Sequence, residues 1–238
     1  PLGSQPVIRV GHFHETISSE DRLKTALPRF AAVLVVGETG TRLFERTATT
    51  AFVDVTEKAG LTGVRGRDAC WADYESDGDL DLLVAGDQGL SLWQNGGDGH
   101  FTNVSTATGL ALPEPCWSVG AADLDASGDI DVVVATRSGP TRVLENKRAG
   151  QFWPMPEPPG PWAPTDIILI DDLDNDGTAD AVLVGAERTV LKLGRPSESQ
   201  LIEHAGFVVT AAVLVDYDND GWLDFCAAGN EVGDPASG

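Results

Sequence analysis

Apolar residues in this chain come in short runs, each ended by a small or polar residue. LDLLVAG, IDVVVAT, ADAVLVG and LDFCAAG begin at residues 80, 130, 179 and 223. They are too short for helices and rich in β-branched side chains, so they read as strands. Each follows a second apolar run: CWA (70–72), VGAA (119–122), IILI (167–170) and AAVLV (211–215). A third run, LSLWQN (90–95), follows a Gly turn. Asn-x-Gly-Asp-Gly (95–99) then predicts a hairpin into a fourth strand over His100–Val104. The unit is therefore four short strands.

The unit repeats. RFAAVLVVGETGTRLFERTATTAFVDVTEKAGL (29–61) aligns with LDLLVAGDQGLSLWQNGGDGHFTNVSTATGL (80–110). Phe44 matches Trp93, Phe52 matches Phe101, and both tails read F-x-[DN]-V-[ST]-x-x-x-G-L. Leu144 and Phe152 hold the same two places in the next copy, and Leu193 and Leu201 are expected to hold them in the fourth. A period of about 40–50 residues with four strands is that of a β-propeller blade. Solenoid repeats are usually shorter, and a sandwich would not explain the fixed period. The expected fold is all-β, a partial β-propeller. Its divisions are a lead-in at 5–28, blades at 29–61, 62–111, 112–160 and 161–206, and an incomplete blade at 207–238. Within the lead-in, VIRV (7–10) reads as a strand and SSEDRLKTAL (18–27) as a short helix.

Between the first and second strands of four units lies an acidic nonapeptide. The copies are DYESDGDLD (73–81), DLDASGDID (123–131), DLDNDGTAD (172–180) and DYDNDGWLD (216–224), starting 50, 49 and 44 residues apart. Oxygens at positions 1, 3 and 5 converge if a tight turn folds the chain about one point. Gly at position 6 supplies the positive φ that such a turn needs. With a carbonyl from position 7 and a carboxylate from position 9, the donor set is hard oxygen, which suits Ca²⁺ better than Mg²⁺ or zinc. An EF-hand would need Glu at position 12 and flanking helices. Position 12 is Val84, Val134, Leu183 and Ala227, within strand-like runs. Metal-free acidic turns are the bland alternative, which four copies in phase disfavour.

The loops also account for the charge. Of 37 acidic residues they hold 17, leaving 20 against 16 Lys and Arg in a chain of formal charge −21. Four bound Ca²⁺ would bring this to −13. Such a surface disfavours nucleic acid and anionic membranes as partners. No apolar stretch is long enough to cross a membrane as a helix. Pro1–Ser4 resemble the remnant of a cleaved expression tag. Cys70, Cys116 and Cys226 lack a motif spacing; buried thiols are the expected state of Cys70 and Cys226, and a Cys70–Cys116 bridge stays open. No nucleophile elbow, Cys–His pair or phosphate loop appears, so a catalytic role is not expected. His12, His14 and Glu15 read as a solvated segment rather than a metal cluster. Trp71, Trp153 and Trp162 are candidate exposed aromatics able to stack on a sugar or anchor a protein.

The nonapeptides, together with N-x-G-D-G-x-F (95–101) and F-x-D-V-T-x-x-A-G-L (52–61), resemble the FG-GAP/VCBS repeat propellers, the class that includes the integrin α-subunit head, and in particular their bacterial and cartilage-acidic-protein branch. The resemblance covers about 29–229. It implies four Ca²⁺ sites, held by Asp73, Glu75, Asp77 and Asp81; by Asp123, Asp125, Ser127 and Asp131; by Asp172, Asp174, Asp176 and Asp180; and by Asp216, Asp218, Asp220 and Asp224. Carbonyls of Asp79, Asp129, Thr178 and Trp222 would add one ligand each. Ser127 removes a carboxylate, so its site is expected to be the weakest.

Family propellers usually have seven blades. Three explanations for the shortfall stand open: a piece of a longer chain, closure of the last blade by VIRV, or self-association through the unfinished blade. The expected function is a calcium-stabilised, non-catalytic binding or adhesion module for protein or glycan. The alternatives are part of a propeller enzyme acting on polysaccharide, or an assembly element of a larger protein. Calcium loops of modest affinity suit a secreted, periplasmic or cell-surface setting.

Overall fold

The computed structural model describes residues 7–12, 31–46, 51–148, 150–155, 165–185, 188–193, 198–204 and 206–231. The helix expected at 18–27, together with His14, Glu15 and Trp162, lies outside them. Every regular element among the described residues is a strand. The first sheet has β1 (Val7–His12), β2 (Ala31–Gly37), β3 (Gly40–Arg46) and β4 (Phe52–Asp54). The second has β5 (Asp68–Ala72), β6 (Asp81–Gly86), β7 (Gly89–Asn95) and β8 (Phe101–Asn103). The third has β9 (Cys116–Ala122), β10 (Asp131–Thr136), β11 (Arg142–Asn146) and β12 (Phe152–Pro154). The fourth has β13 (Ile167–Asp171), β14 (Asp180–Val184), β15 (Arg188–Leu193) and β16 (Glu198–Glu203). The last is the pair β17 (Phe207–Val215) and β18 (Asp224–Glu231). All pairings are antiparallel, and strands follow one another within each sheet.

Two sequence expectations change here. VIRV does not complete the last blade: β1 pairs with β2 along its length, Val10 opposite Val33, so it belongs to the first sheet rather than to a separate lead-in. The fourth copy is also out of register with the alignment. Leu82 pairs with Trp93 and Val132 with Leu144, but the equivalent Ala181 faces Lys192, one residue before Leu193. Leu201 lies opposite Val190 and is exposed, so it is not the counterpart of Phe101. A one-residue slip exchanges the faces of a strand, and this copy lacks the aromatic landmarks that set the register elsewhere.

The sheets pack face to face, with first strands β5, β9, β13 and β17 in succession. Strand alternation then divides each middle strand between two neighbours. In β6, Leu82 and Val84 pack toward the first sheet, whereas Leu83 and Ala85 pack toward the third. In β10, Val132 and Val134 face the second sheet, and Val133 and Ala135 the fourth. All eight are buried. These runs read as continuously apolar because both faces are covered.

The F-x-[DN]-V-[ST] tail proves to be the link between sheets. Thr56 donates its hydroxyl to Asp54 Oδ1 (2.5 Å) and accepts Leu43 N–H (2.9 Å). Ser105 repeats this with Asn103 (2.8 Å) and Leu92 N–H (2.9 Å). The turn that follows presents a carbonyl to the next outer strand: Phe101 N–H donates to Ala59 (2.9 Å) and Phe152 N–H to Thr108 (2.8 Å). At the opposite end of the blades, Arg67 bridges the turns of two sheets, pairing with Glu38 and with Asp87 (3.0 Å). Its guanidinium lies 4.1 Å from the centre of the Trp117 ring of the third sheet, a favourable cation–π placement.

No disulfide links Cys70 and Cys116. Cys116 is buried and Cys70 partly buried, but Cys226 is exposed, because it sits on the uncovered face of β18. Of the tryptophans singled out, Trp71 packs 6.1 Å from the Phe101 ring and Trp153 is 61% exposed.

Candidate metal centre

All four nonapeptides adopt one conformation. Gly78, Gly128, Gly177 and Gly221 have φ between 88° and 95°, as position 6 demanded. Position 4 is also left-handed, at Ser76, Ala126, Asn175 and Asn219 (φ 53–60°). Only Asn175 and Asn219 signal this in the sequence, since Asn tolerates such a φ; Ser76 and Ala126 give no sign of it.

The carboxylate at position 1 closes the turn. Asp73, Asp123, Asp172 and Asp216 each accept the N–H of position 5 on one oxygen and the Gly N–H on the other, at 2.9–3.1 Å. At position 3, Asp125, Asp174 and Asp218 accept the position 5 N–H (3.0–3.2 Å). At position 5, Asp77, Asp176 and Asp220 are turned onto the N–H of position 7. Bonds to the Thr178 hydroxyl and then its N–H hold the Asp176 carboxyl below its usual range. Ser127 Oγ takes the place of that carboxylate, accepting Asp129 N–H at 3.3 Å.

Position 9 reaches back across the loop. Asp81, Asp131, Asp180 and Asp224 each accept the N–H of position 2 (2.8–3.3 Å). Asp81 also accepts Asn95 N–H (2.8 Å) and Asp131 accepts Asn146 N–H (2.9 Å), which ties the loop to the third strand of its blade. Asp81, Asp131 and Asp180 are buried; Asp224 is only partly so. Burial pushes Asp81 up to about 7 and Asp131 up to about 6, with neighbouring loop carboxylates adding to the effect.

Three loops bring carboxylate oxygens of positions 1, 3 and 9 within 4.8 Å of one another: Asp123, Asp125 and Asp131; Asp172, Asp174 and Asp180; Asp216, Asp218 and Asp224. The first nonapeptide is not among these groups, and its Glu75 instead accepts a hydrogen bond from Gln94 Nε2. The longer side chain at position 3 reaches out of the loop to the third strand. Three oxygens at that separation form a hard, anionic donor set that a divalent cation satisfies. His100 and His204 do not enter it: His100 Nδ1 bonds the Lys58 carbonyl (3.1 Å) and His204 Nδ1 that of Phe207 (2.9 Å).

A family model described as an FG-GAP-like repeat matches the chain twice in tandem, over residues 73–134 and 123–183. No curated protein matches it. Among solved structures, an Agrocybe aegerita lectin, described for specific recognition of non-reducing terminal N-acetylglucosamine, superposes with TM-score 0.57 at 20% identity. The match covers 94% of this chain and 60% of that one. This chain thus spans about 60% of the lectin's length. The Photorhabdus luminescens Tc holotoxin pore aligns with TM-score 0.45 at 16% identity, covering 82% of this chain and 10% of that one. Two tandem FG-GAP-like repeats over residues 73–183, four-stranded sheets in succession and acidic loops in phase make the chain a partial β-propeller.

Proposed function

We propose that the chain is a calcium-stabilised scaffold whose loop face serves as a non-catalytic binding surface for a glycan or protein. The convergence of positions 1, 3 and 9 in three loops carries this reading. Asp123, Asp125 and Asp131 would hold one ion, Asp172, Asp174 and Asp180 a second, and Asp216, Asp218 and Asp224 a third. Each ion neutralises a carboxylate cluster at the junction of two strands. It would stabilise the folded chain by about 2.7 kcal/mol at a hundredfold excess over its dissociation constant. The 73–81 loop, with Glu75 engaged by Gln94, is proposed as the weakest site, in place of the Ser127 loop. A compartment with millimolar calcium, outside the cytosol, fits loops of this kind.

Calorimetric titration of the chelated chain with Ca²⁺ tests the metal part; three sites tighter than a fourth are expected, and no heat of binding would remove it. A glycan array in Ca²⁺, beginning with glycans ending in N-acetylglucosamine, tests the binding part. Retention of a glycan without turnover is expected, and release of cleaved sugar would replace the reading with an enzyme.

A further inference from the structure

We propose that a second copy of this chain docks head to tail, its first sheet covering the outer face of β17–β18. Each interior sheet shows one face to the sheet before it and another to the sheet after it, and the same positions do this in every copy. The forward face is set by positions 11 and 13, counted from the first aspartate of each loop: Leu83 and Ala85, Val133 and Ala135, Val182 and Val184. All six are buried. Their counterparts in the last pair, Cys226 and Ala228, are exposed. Across the pair, Val213 lies opposite Cys226 and is 51% exposed. Val215, on the same face, is exposed as well.

Position 2 behaves alike. The Tyr74 side chain is 4% exposed: its ring lies 6.1 Å from that of Phe152 in the following sheet, while its carbonyl accepts Asn146 Nδ2 of that sheet at 2.8 Å. Tyr217, the same residue type at the same position, is 76% exposed.

The backward face has the complementary defect. Leu82, Val84 and Phe101, and in the next sheet Val132, Val134 and Phe152, are buried against the preceding sheet. Their counterparts in the first sheet are Val33, Val35 and Phe52. Val33 and Val35 are only partly buried, and Phe52 is 49% exposed. Phe52 starts its outer strand opposite Arg46 just as Phe152 does opposite Asn146. Among the described residues, one molecule therefore carries both halves of the interface that it makes between its own interior sheets, each exposed. The Tyr74–Phe152 pair supplies the template for Tyr217 of one copy on Phe52 of the next. Two different patches meeting make a heterologous contact, which either closes a ring or propagates. The apolar halves favour burial.

The test is sedimentation or light scattering of the intact chain from about 1 to 100 μM, a range that detects micromolar association. Whole-number multiples of the 25.1 kDa chain are expected at the upper end. Phe52→Glu blocks the first face and Val213→Glu the second; each variant alone is expected to be monomeric. An equimolar mixture still contains one intact pair of faces and is expected to give a 1:1 dimer. Alkylation of Cys226 offers a second readout: it should slow as the wild-type chain associates and stay fast in Val213→Glu. A chain that is monomeric throughout overturns the proposal. So does an association that Val213→Glu abolishes and Phe52→Glu leaves intact, since that pattern belongs to a symmetric tail-to-tail dimer.

Discussion

The loops at 123–131 and 216–224 are the same object in two settings. Both place position 4 left-handed (Ala126 φ 53°, Asn219 φ 60°) and both have Gly at 91°. Both fold the first aspartate onto the same two N–H groups. Yet Asp131 is buried and tied to Asn146, whereas Asp224 is partly exposed. Leu124 at position 2 packs in the core between sheets, whereas Tyr217 stands in solvent. The nonapeptide therefore dictates its own conformation, while burial comes from the neighbouring strands and the following sheet.

The largest consequence is for core aromatics. Phe152→Ala empties a site shared by two sheets and is expected to cost about 3–5 kcal/mol. Phe52→Ala, at the equivalent but uncovered place, should cost less than about 1 kcal/mol. Urea unfolding of both measures the gap, and equal losses would mean that the first sheet is covered as the others are.

Next comes pH. Asp81 and Asp131 hold their protons to about 7 and about 6 in the folded chain, against 3.8 for a free carboxyl. The folded state thus binds more protons than the unfolded one between about pH 4 and about pH 7. In chelator, stability should fall as pH rises through that window, by about 3–4 kcal/mol per group, and then level off. Asp131→Asn should remove that group's share of the decline. Melting curves at stepped pH in chelator read the difference.

Glycines separate local from neighbour effects. A Cβ at Gly150, itself left-handed (φ 67°), would come 2.4 Å from Cε2 of Tyr74, so Gly150→Ala should cost about 1–3 kcal/mol by displacing the ring, beyond the conformational term. Gly128→Ala meets no atom within 4 Å and should lose only the conformational term, about 1 kcal/mol. Chemical denaturation of the two variants tests the order. The smallest effect is a gain: Ala126→Asn relieves a left-handed Ala and should add about 0.5–1 kcal/mol, visible as a small rise in Tm.

What could be read from the sequence follows the same division. The nonapeptide turn was legible because its Gly and aspartates act within nine residues. The four-strand unit was legible because period, Gly turns and tail motif coincide. The fourth copy's register was not, because Ala181 faces Lys192 where earlier copies have Trp93 and Leu144. The role of β1 was hidden because its partner β2 lies beyond a long intervening segment. Glu75 read as a loop carboxylate like its counterparts, since nothing local signals Gln94, 19 residues on. Cys226 looked like a core residue because its run has the pattern of a covered strand, but on the last pair that face is exposed.

If these loops are structural calcium sites, the melting temperature of the chelated chain responds to returned divalent ions. Chelation lowers Tm, Ca²⁺ restores it, and Mg²⁺ at the same concentration restores it less. A Tm indifferent to chelator and to both ions would rule such sites out.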